Sequence, residues 1–121
     1  MCQTVELPRA FTISGQGDGR LSCPRLLTDA SITISAQGEE DGTVTGSVNI
    51  VFLVGGGLMS TVSGGTTDGN TFSLSGETIP GCNTDTQPFT LSGDCGNDVI
   101  IRYEEPESSG TFTGDVECTL A

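Results

Sequence analysis

The chain has 121 residues, a length that suits one domain with a single hydrophobic core. It carries 16 acidic and 4 basic residues, so its net charge is −12, and such a surface repels a nucleic-acid backbone. Histidine is absent, which excludes a Ser-His-Asp triad or a Cys–His pair. The longest apolar run, Val48 to Val54, is far shorter than the roughly 20 residues that a membrane-spanning helix needs.

Short alternating segments fill the chain, with Thr and Val at every second place and glycine-containing turn signals between the segments. This spacing is typical of an antiparallel all-β domain. The pattern predicts ten strands: Gln3–Leu7, Ala10–Gly15, Arg20–Cys23, Ser31–Ala36, Thr43–Val54, Leu58–Ser63, Thr71–Glu77, Pro88–Cys95, Val99–Glu104 and Thr111–Leu120.

Asp-Gly pairs punctuate these strands at Asp18-Gly19, Asp41-Gly42 and Asp68-Gly69. Both residue types tolerate positive φ, which the tight turns of β-hairpins require. We therefore predict a hairpin turn at each of the three pairs.

One nine-residue pattern occurs twice, as GTVTGSVNI at Gly42–Ile50 and as GTFTGDVEC at Gly110–Cys118. Similar strands precede each copy, so residues 11–50 and 89–118 are predicted to be two copies of one three-stranded meander, with a middle hairpin at 58–77. The whole chain, 1–121, is then a single all-β domain. We expect an antiparallel β-barrel or sandwich of about eight to ten short strands with internal duplication.

Alternation also assigns the faces of the two repeated strands. One set of side chains on each strand is apolar and predicted to point inward: Val44, Val48, Ile50 and Phe52 in the first, and Phe112, Val116, Cys118 and Leu120 in the second. Gly46 and Gly114 occupy matching places, where a glycine indicates a bend or a close backbone approach. Tyr103, in phase with Val99 and Ile101, is predicted to pack in the core.

Five cysteines in a chain this small, without a CxxC pair, favour disulfide bonds over a metal site. Reflecting the last predicted hairpin about its turn brings Cys95 opposite Cys118, so these two are predicted to be bonded. Cys23 and Cys82, each beside a turn with Pro or Gly, form the second predicted pair, although four cysteines alone allow three connectivities.

Cys2 is left over from these pairs, and three roles stay open for it. It could form an intermolecular disulfide, carry the lipid that opens a mature lipoprotein, or remain a free thiol. The cysteine content predicts an oxidising compartment, so we expect an extracellular or cell-surface protein whose signal peptide has been removed. Any attachment to a membrane would go through a lipid on Cys2.

Acidic residues gather in the predicted loops, notably Glu39, Glu40 and Asp41, and Glu104 with Glu105. Carboxylates that converge from neighbouring loops could hold Ca²⁺, which takes several oxygen ligands. The spacing of a calcium-binding loop is absent, however, and solvated turns in an acidic protein explain the same residues. We expect no cofactor, and Ca²⁺ is the alternative.

Alternation lapses in the stretch IVFLVGGGLM, where Val51, Leu53 and Met59 are apolar on the face that should be wet, as Ile100 is on its own strand. A strand that is apolar on both faces needs cover on both faces. That cover is either another part of this chain or another molecule. These four residues are therefore the predicted interaction patch.

The sequence predicts a secreted or surface-anchored, disulfide-stabilised β module with a binding or structural role. With no histidine, no Trp and one Tyr, it offers no catalytic site, so we expect no enzyme. Its partner would be a second copy or another protein, held through the apolar strand face or by strand addition of Gln3–Leu7. Two alternatives stay open, a small barrel carrying a hydrophobic ligand and a Ca²⁺-dependent adhesion module.

Overall fold

A computed structural model describes residues 9–23, 26–79, 86–106 and 108–120 of the chain. It contains eight strands: β1 Phe11–Cys23, β2 Leu26–Gly38, β3 Val44–Phe52, β4 Gly57–Thr67, β5 Thr71–Ile79, β6 Gln87–Asp94, β7 Gly96–Glu104 and β8 Ser109–Leu120. Each strand pairs antiparallel with the next one, and β8 pairs with β1, so the sheet closes into a barrel. In the described part of the chain no helix is long and apolar enough to cross a membrane.

The strand directions define two ends of the barrel. At the terminal end β1 begins and β8 finishes, and the turns from β2 to β3 and from β4 to β5 lie there. At the distal end β1, β3, β5 and β7 finish. Every candidate site can be placed at one of these two ends or on the outer face of the sheet.

Two of the three predicted Asp-Gly turns are confirmed, both at the terminal end. Gly42 and Gly69 each have φ of 92°. The Asp41 carboxylate accepts the backbone N–H of Thr43 at 2.9 Å, and the Asp68 carboxylate accepts that of Thr71 at 2.7 Å. These backbone hydrogen bonds hold the pKa of both carboxyl groups below their usual value.

The predicted turn at Asp18-Gly19 is wrong, because both residues lie inside the continuous strand β1. Asp18 pairs with Ser31 of β2 and Thr113 of β8, and its carboxylate accepts the Ser31 hydroxyl at 2.7 Å. Gly19 allows a close approach, since a Cβ there would overlap the backbone of Thr111 on β8. Two predicted strands therefore merge into β1, and the predicted strand Gln3–Leu7 lies outside the described residues, which leaves eight.

The barrel interior is a packed core, because side chains at every second position of each strand point inward. These are the buried apolar residues: Phe11, Ile13, Leu21, Ala30, Ile32, Ile34, Ala36, Val48, Ile50, Leu58, Val62, Phe72, Leu74, Phe89, Leu91, Ile101, Tyr103, Phe112 and Val116. The rings of Phe89 and Tyr103 stack with their centroids 5.7 Å apart. The core position predicted for Tyr103 is therefore confirmed.

The close backbone approach predicted at Gly46 and Gly114 is confirmed. A Cβ at Gly46 would overlap the backbone of Ser35 on β2, and one at Gly114 would overlap that of Gln16 on β1. Both glycines therefore let the backbones of neighbouring strands come close together.

The predicted repeat units coincide with whole groups of strands. Residues 11–50 span β1 to β3, residues 89–118 span β6 to β8, and 58–77 span the β4–β5 hairpin. Corresponding strands of the two units run in opposite directions along the barrel but follow one another in the same sense round it, a relation that no two-fold axis produces. The duplication itself stays a prediction.

The ladder between β6 and β7 is short. It pairs Thr90–Gly93 with Ile101–Glu104, whereas β1 and β2 pair along their full lengths. The first residue of β7, Gly96, instead faces Val116 of β8, and the register between these two strands shifts before Val99.

Candidate interaction surface

The turn from β3 to β4 forms a tight hairpin at the distal end. Gly55 and Gly56 take φ of 107° and 80°, which glycine adopts without steric cost. The Phe52 amide donates to the Gly56 carbonyl at 2.9 Å, and the Leu53 amide donates to the Asp29 carbonyl of β2 at 3.0 Å. The turn is thus fixed to the barrel wall.

Apolar side chains on this hairpin face solvent. Leu53 and Val54 are 82% and 86% exposed, and Val51 and Met59 are 60% and 63% exposed. We call these four residues the apolar hairpin end. From Gly42 to Thr67 the sequence has no charged residue, although the protein as a whole is strongly acidic. A contiguous exposed apolar patch of this kind marks a contact surface in soluble domains.

The structure brings together three of the four residues of the predicted patch. Val51, Leu53 and Met59 lie on the paired strands β3 and β4 or on the turn between them. Ile100 lies on β7, four strands away from β3 in either direction round the barrel, so it does not share their surface. It lines another depression together with Leu27, Arg20 and Arg102. Strand order, which the sequence pattern does not specify, explains this correction.

Val54, predicted as the last residue of a strand, lies in the turn after β3 and belongs to the same surface. The three glycines that follow it in the sequence are the signal that could have placed it there. An apolar residue at a hairpin turn has no inner face to occupy and is exposed.

A second feature is a depression of about 730 Å³ at the terminal end. Its floor consists of the apolar side chains at the edge of the core, Phe11, Val44 and Leu120. Its rim consists of Arg9, Glu39, Gly42, Gly65, Thr66, Thr67 and Asp68. We call this feature the terminal depression.

A chain of hydrogen bonds inside the distal end was not foreseen from the sequence. The Ser60 and Thr78 hydroxyls are 3.0 Å apart, the Thr78 and Tyr103 hydroxyls are 2.6 Å apart, and Tyr103 donates to the Glu105 carboxylate at 3.0 Å. Because the single Tyr103 proton goes to Glu105, Thr78 donates to Tyr103 and Ser60 to Thr78. Period-two alternation could have identified Ser60 and Thr78, since both are in phase with inward residues.

Burial raises the pKa of the Tyr103 hydroxyl, and the nearby Glu105 carboxylate raises it further. Two other buried polar atoms near this end, the Gln87 amide oxygen and the Ser108 hydroxyl, have no hydrogen-bond partner among the described residues. The chain of hydroxyls places hydrogen-bonded polar groups at the distal end of the core.

The predicted disulfide between Cys95 and Cys118 is confirmed, with a Cα–Cα distance of 5.8 Å. It joins the connection after β6 to the last part of β8 at the terminal end. Cys2 and Cys82 lie outside the described residues. Cys23 ends β1, but its side chain is not described, so the second predicted pair stays a prediction.

The acidic residues predicted as weak cation ligands lie at opposite ends of the barrel. Glu39, Glu40 and Asp41 are in the β2–β3 turn at the terminal end, whereas Glu104 and Glu105 are at the distal end. In the described ranges, no group of three His, Cys, Asp or Glu residues is arranged to hold a metal ion. The Glu39 carboxylate accepts the Gln37 amide at 2.6 Å instead.

Comparison with known proteins gives no match: no family model, no curated protein and no solved structure is significantly similar to this chain. Its function must therefore be inferred from the surfaces of the barrel itself.

Proposed function

We propose that this protein is a secreted or surface-anchored β module that assembles with copies of itself through the apolar hairpin end. The observation that carries the proposal is the exposure of Leu53 and Val54, more than four-fifths each, on a hairpin without charge. Burying such side chains stabilises a contact by about 25 cal/mol per Å² of apolar surface.

Electrostatics supports the same surface. Copies of a protein with a net charge of −12 repel one another, so contact is least costly where the surface is uncharged. The β3–β4 hairpin is the longest part of the sequence that meets this condition. Three charged residues line the depression beside Val51 and Leu53. Arg20 and Asp29 pair with each other at 3.0 Å, and the Asp18 carboxylate accepts the Ser31 hydroxyl.

The hydrophobic-ligand alternative has less support from the geometry. A lumen for a ligand needs space between the inward side chains. Here the largest of these side chains, including Tyr103, Phe89 and Phe112, are fully buried and belong to one hydrophobic cluster, in which the Phe89 and Tyr103 rings stack. They form a filled core.

The proposal is tested by measuring molar mass by light scattering over a concentration series. All samples carry Cys2→Ser, so that no intermolecular bond at that residue contributes. The wild-type mass is expected to rise with concentration, whereas Leu53→Asp should stay monomeric because association would bury its carboxylate. Ile100→Asp is the matched control, since it places the same charge on an exposed apolar residue on the far side of the barrel, and it should assemble like the wild type.

A wild-type protein that stays monomeric at every concentration would contradict the proposal. Loss of assembly in Ile100→Asp, with Leu53→Asp unchanged, would assign the contact to the β7 face instead.

A further inference from the structure

The apolar hairpin end and the terminal depression lie at opposite ends of one strand. Val44, the first residue of β3, lines the depression, and Phe52, the last, leads into Leu53 and Val54. Nine residues of extended strand separate them, which is a length of about 30 Å. One surface projects from the barrel and the other is a hollow, so a contact between them would join two different surfaces.

The two surfaces fit each other in size and polarity. At about 730 Å³ the depression is within the range of roughly 300–1,000 Å³ that holds small ligands, so two aliphatic side chains can enter it. Its floor of Phe11, Val44 and Leu120 is apolar, as are Leu53 and Val54. Insertion of the hairpin end would cover Leu53 and Val54 together with the apolar side chains that line the depression.

Charge also favours this match. The rim of the depression carries the carboxylates of Glu39 and Asp68 together with Arg9. A charged surface of a second copy would meet repulsion from these carboxylates, because most of its charges are acidic too. The hairpin itself carries no charge that these carboxylates would repel, and Arg20 beside Leu53 is already paired with Asp29.

We propose that the occupant of the terminal depression is the apolar hairpin end of a second copy of this chain. The contact joins two different surfaces, so it is heterologous, and since they lie at opposite ends of the barrel it produces an open head-to-tail row of barrels. This inference rests on the proposed function and names the receptor surface for the same hairpin.

A complementation experiment tests the two-surface contact. Leu53→Asp disables the projecting surface, and Thr66→Glu places a charged side chain at the exposed rim of the depression. Each variant alone is expected to weaken assembly by at least about tenfold, because a carboxylate would be buried against apolar groups. An equimolar mixture retains one intact pair of surfaces and should form a complex of two chains that grows no further.

Ser47→Glu is the control, because Ser47 is exposed on the same hairpin strand and lies outside both surfaces. It should assemble like the wild type. Sedimentation velocity distinguishes the single chain, the two-chain complex and the longer rows.

Each result decides the question. If the wild type assembles and Thr66→Glu alone assembles like it, or if the mixture stays monomeric, the hairpin pairs with some other surface; the head-to-tail contact is then wrong and the proposed function stands. If the wild type never assembles, both fail. Wild-type protein that stays monomeric but cosediments with phosphatidylcholine vesicles, and loses this in Leu53→Asp, would overturn both and assign the hairpin to a lipid surface.

Discussion

At the scale of single residues, the barrel combines an apolar core with one buried chain of hydroxyls. Ser60, Thr78 and Tyr103 satisfy one another, and Glu105 receives the last proton at the distal end. Buried hydroxyls are tolerated only when they are hydrogen-bonded. Alternation predicts that Tyr103 points inward and could have placed Ser60 and Thr78 there too. It does not predict that the three hydroxyls meet, because that depends on which strands the barrel brings together.

Removing the Tyr103 hydroxyl should destabilise the protein. In Tyr103→Phe the buried Thr78 proton loses its acceptor, and we expect the free energy of unfolding to fall by about 1–2 kcal/mol. Urea titration at pH 7 measures the change. Thr113→Val, which removes a solvent-exposed hydroxyl from β8, is the control and should change stability by less than about 0.5 kcal/mol. Equal stability in Tyr103→Phe and the wild type would show that the chain of hydroxyls contributes nothing.

The same residue predicts how stability depends on alkaline pH. Burial raises the pKa of Tyr103 in the folded protein, so above pH 10 or so the unfolded chain releases the proton first. The stability that the protonated Tyr103 adds is fully present below that pH, and it is lost as the pH rises from there towards the pKa of Tyr103 in the folded protein. The chain has no lysine and no other tyrosine, so Tyr103→Phe should lack this part of the decline between pH 10 and 11.5. A decline of the same slope in both proteins would contradict the assignment.

At the scale of strands, the local pattern located most elements but misjudged several boundaries. Each strand from β2 to β8 overlaps one predicted strand, although β2 begins before the predicted Ser31 and β4 ends after the predicted Ser63. Asp41-Gly42 and Asp68-Gly69 form the expected turns. Asp18-Gly19 contains the same pair of residues, yet β2 and β8 pair with both sides of it and keep β1 extended. Local turn chemistry cannot reveal that a neighbour on each side will override it.

Glycine positions in strands give a prediction at the same scale. In Gly114→Ala the new methyl group would overlap the Gln16 and Gly17 backbone of β1, so the free energy of unfolding should fall by about 1–3 kcal/mol. Gly64→Ala is the matched control, since its methyl group meets only the Ser75 hydroxyl, at 3.0 Å. Thermal unfolding of the two variants measures the difference. If Gly114→Ala and Gly64→Ala have the same melting temperature, the strands can separate locally without loss of stability.

At the scale of the whole molecule, the closed barrel settles which distant residues become neighbours. The pattern could not choose between a barrel and a sandwich, because both use the same alternating strands. It also could not predict that Ile100 lies four strands away from Val51, since that depends on strand order. The Cys95–Cys118 bond was predictable because both residues belong to one terminal hairpin region, where sequence distance and spatial distance still agree.

Loss of that bond should weaken the fold as a whole. We expect Cys95→Ser to lower the free energy of unfolding by about 2–4 kcal/mol, since the bond restricts the unfolded chain. Guanidinium titration under non-reducing conditions measures it, with Cys2→Ser as the control that keeps the bond. A loss below about 0.5 kcal/mol would mean that strand pairing alone holds the terminal end.

The ladder between β6 and β7 is the shortest in the closed sheet, with four paired residues on each strand. We expect the strands of a closed sheet to separate first at the shortest ladder, because separation there breaks the fewest backbone hydrogen bonds. When that ladder opens, the disulfide from Cys95 still holds the end of β6 near the end of β8. The two strand edges therefore stay close together and are less available to pair with a strand of another molecule. The disulfide thus limits the exposure of unpaired strand edges at this ladder when the protein concentration is high.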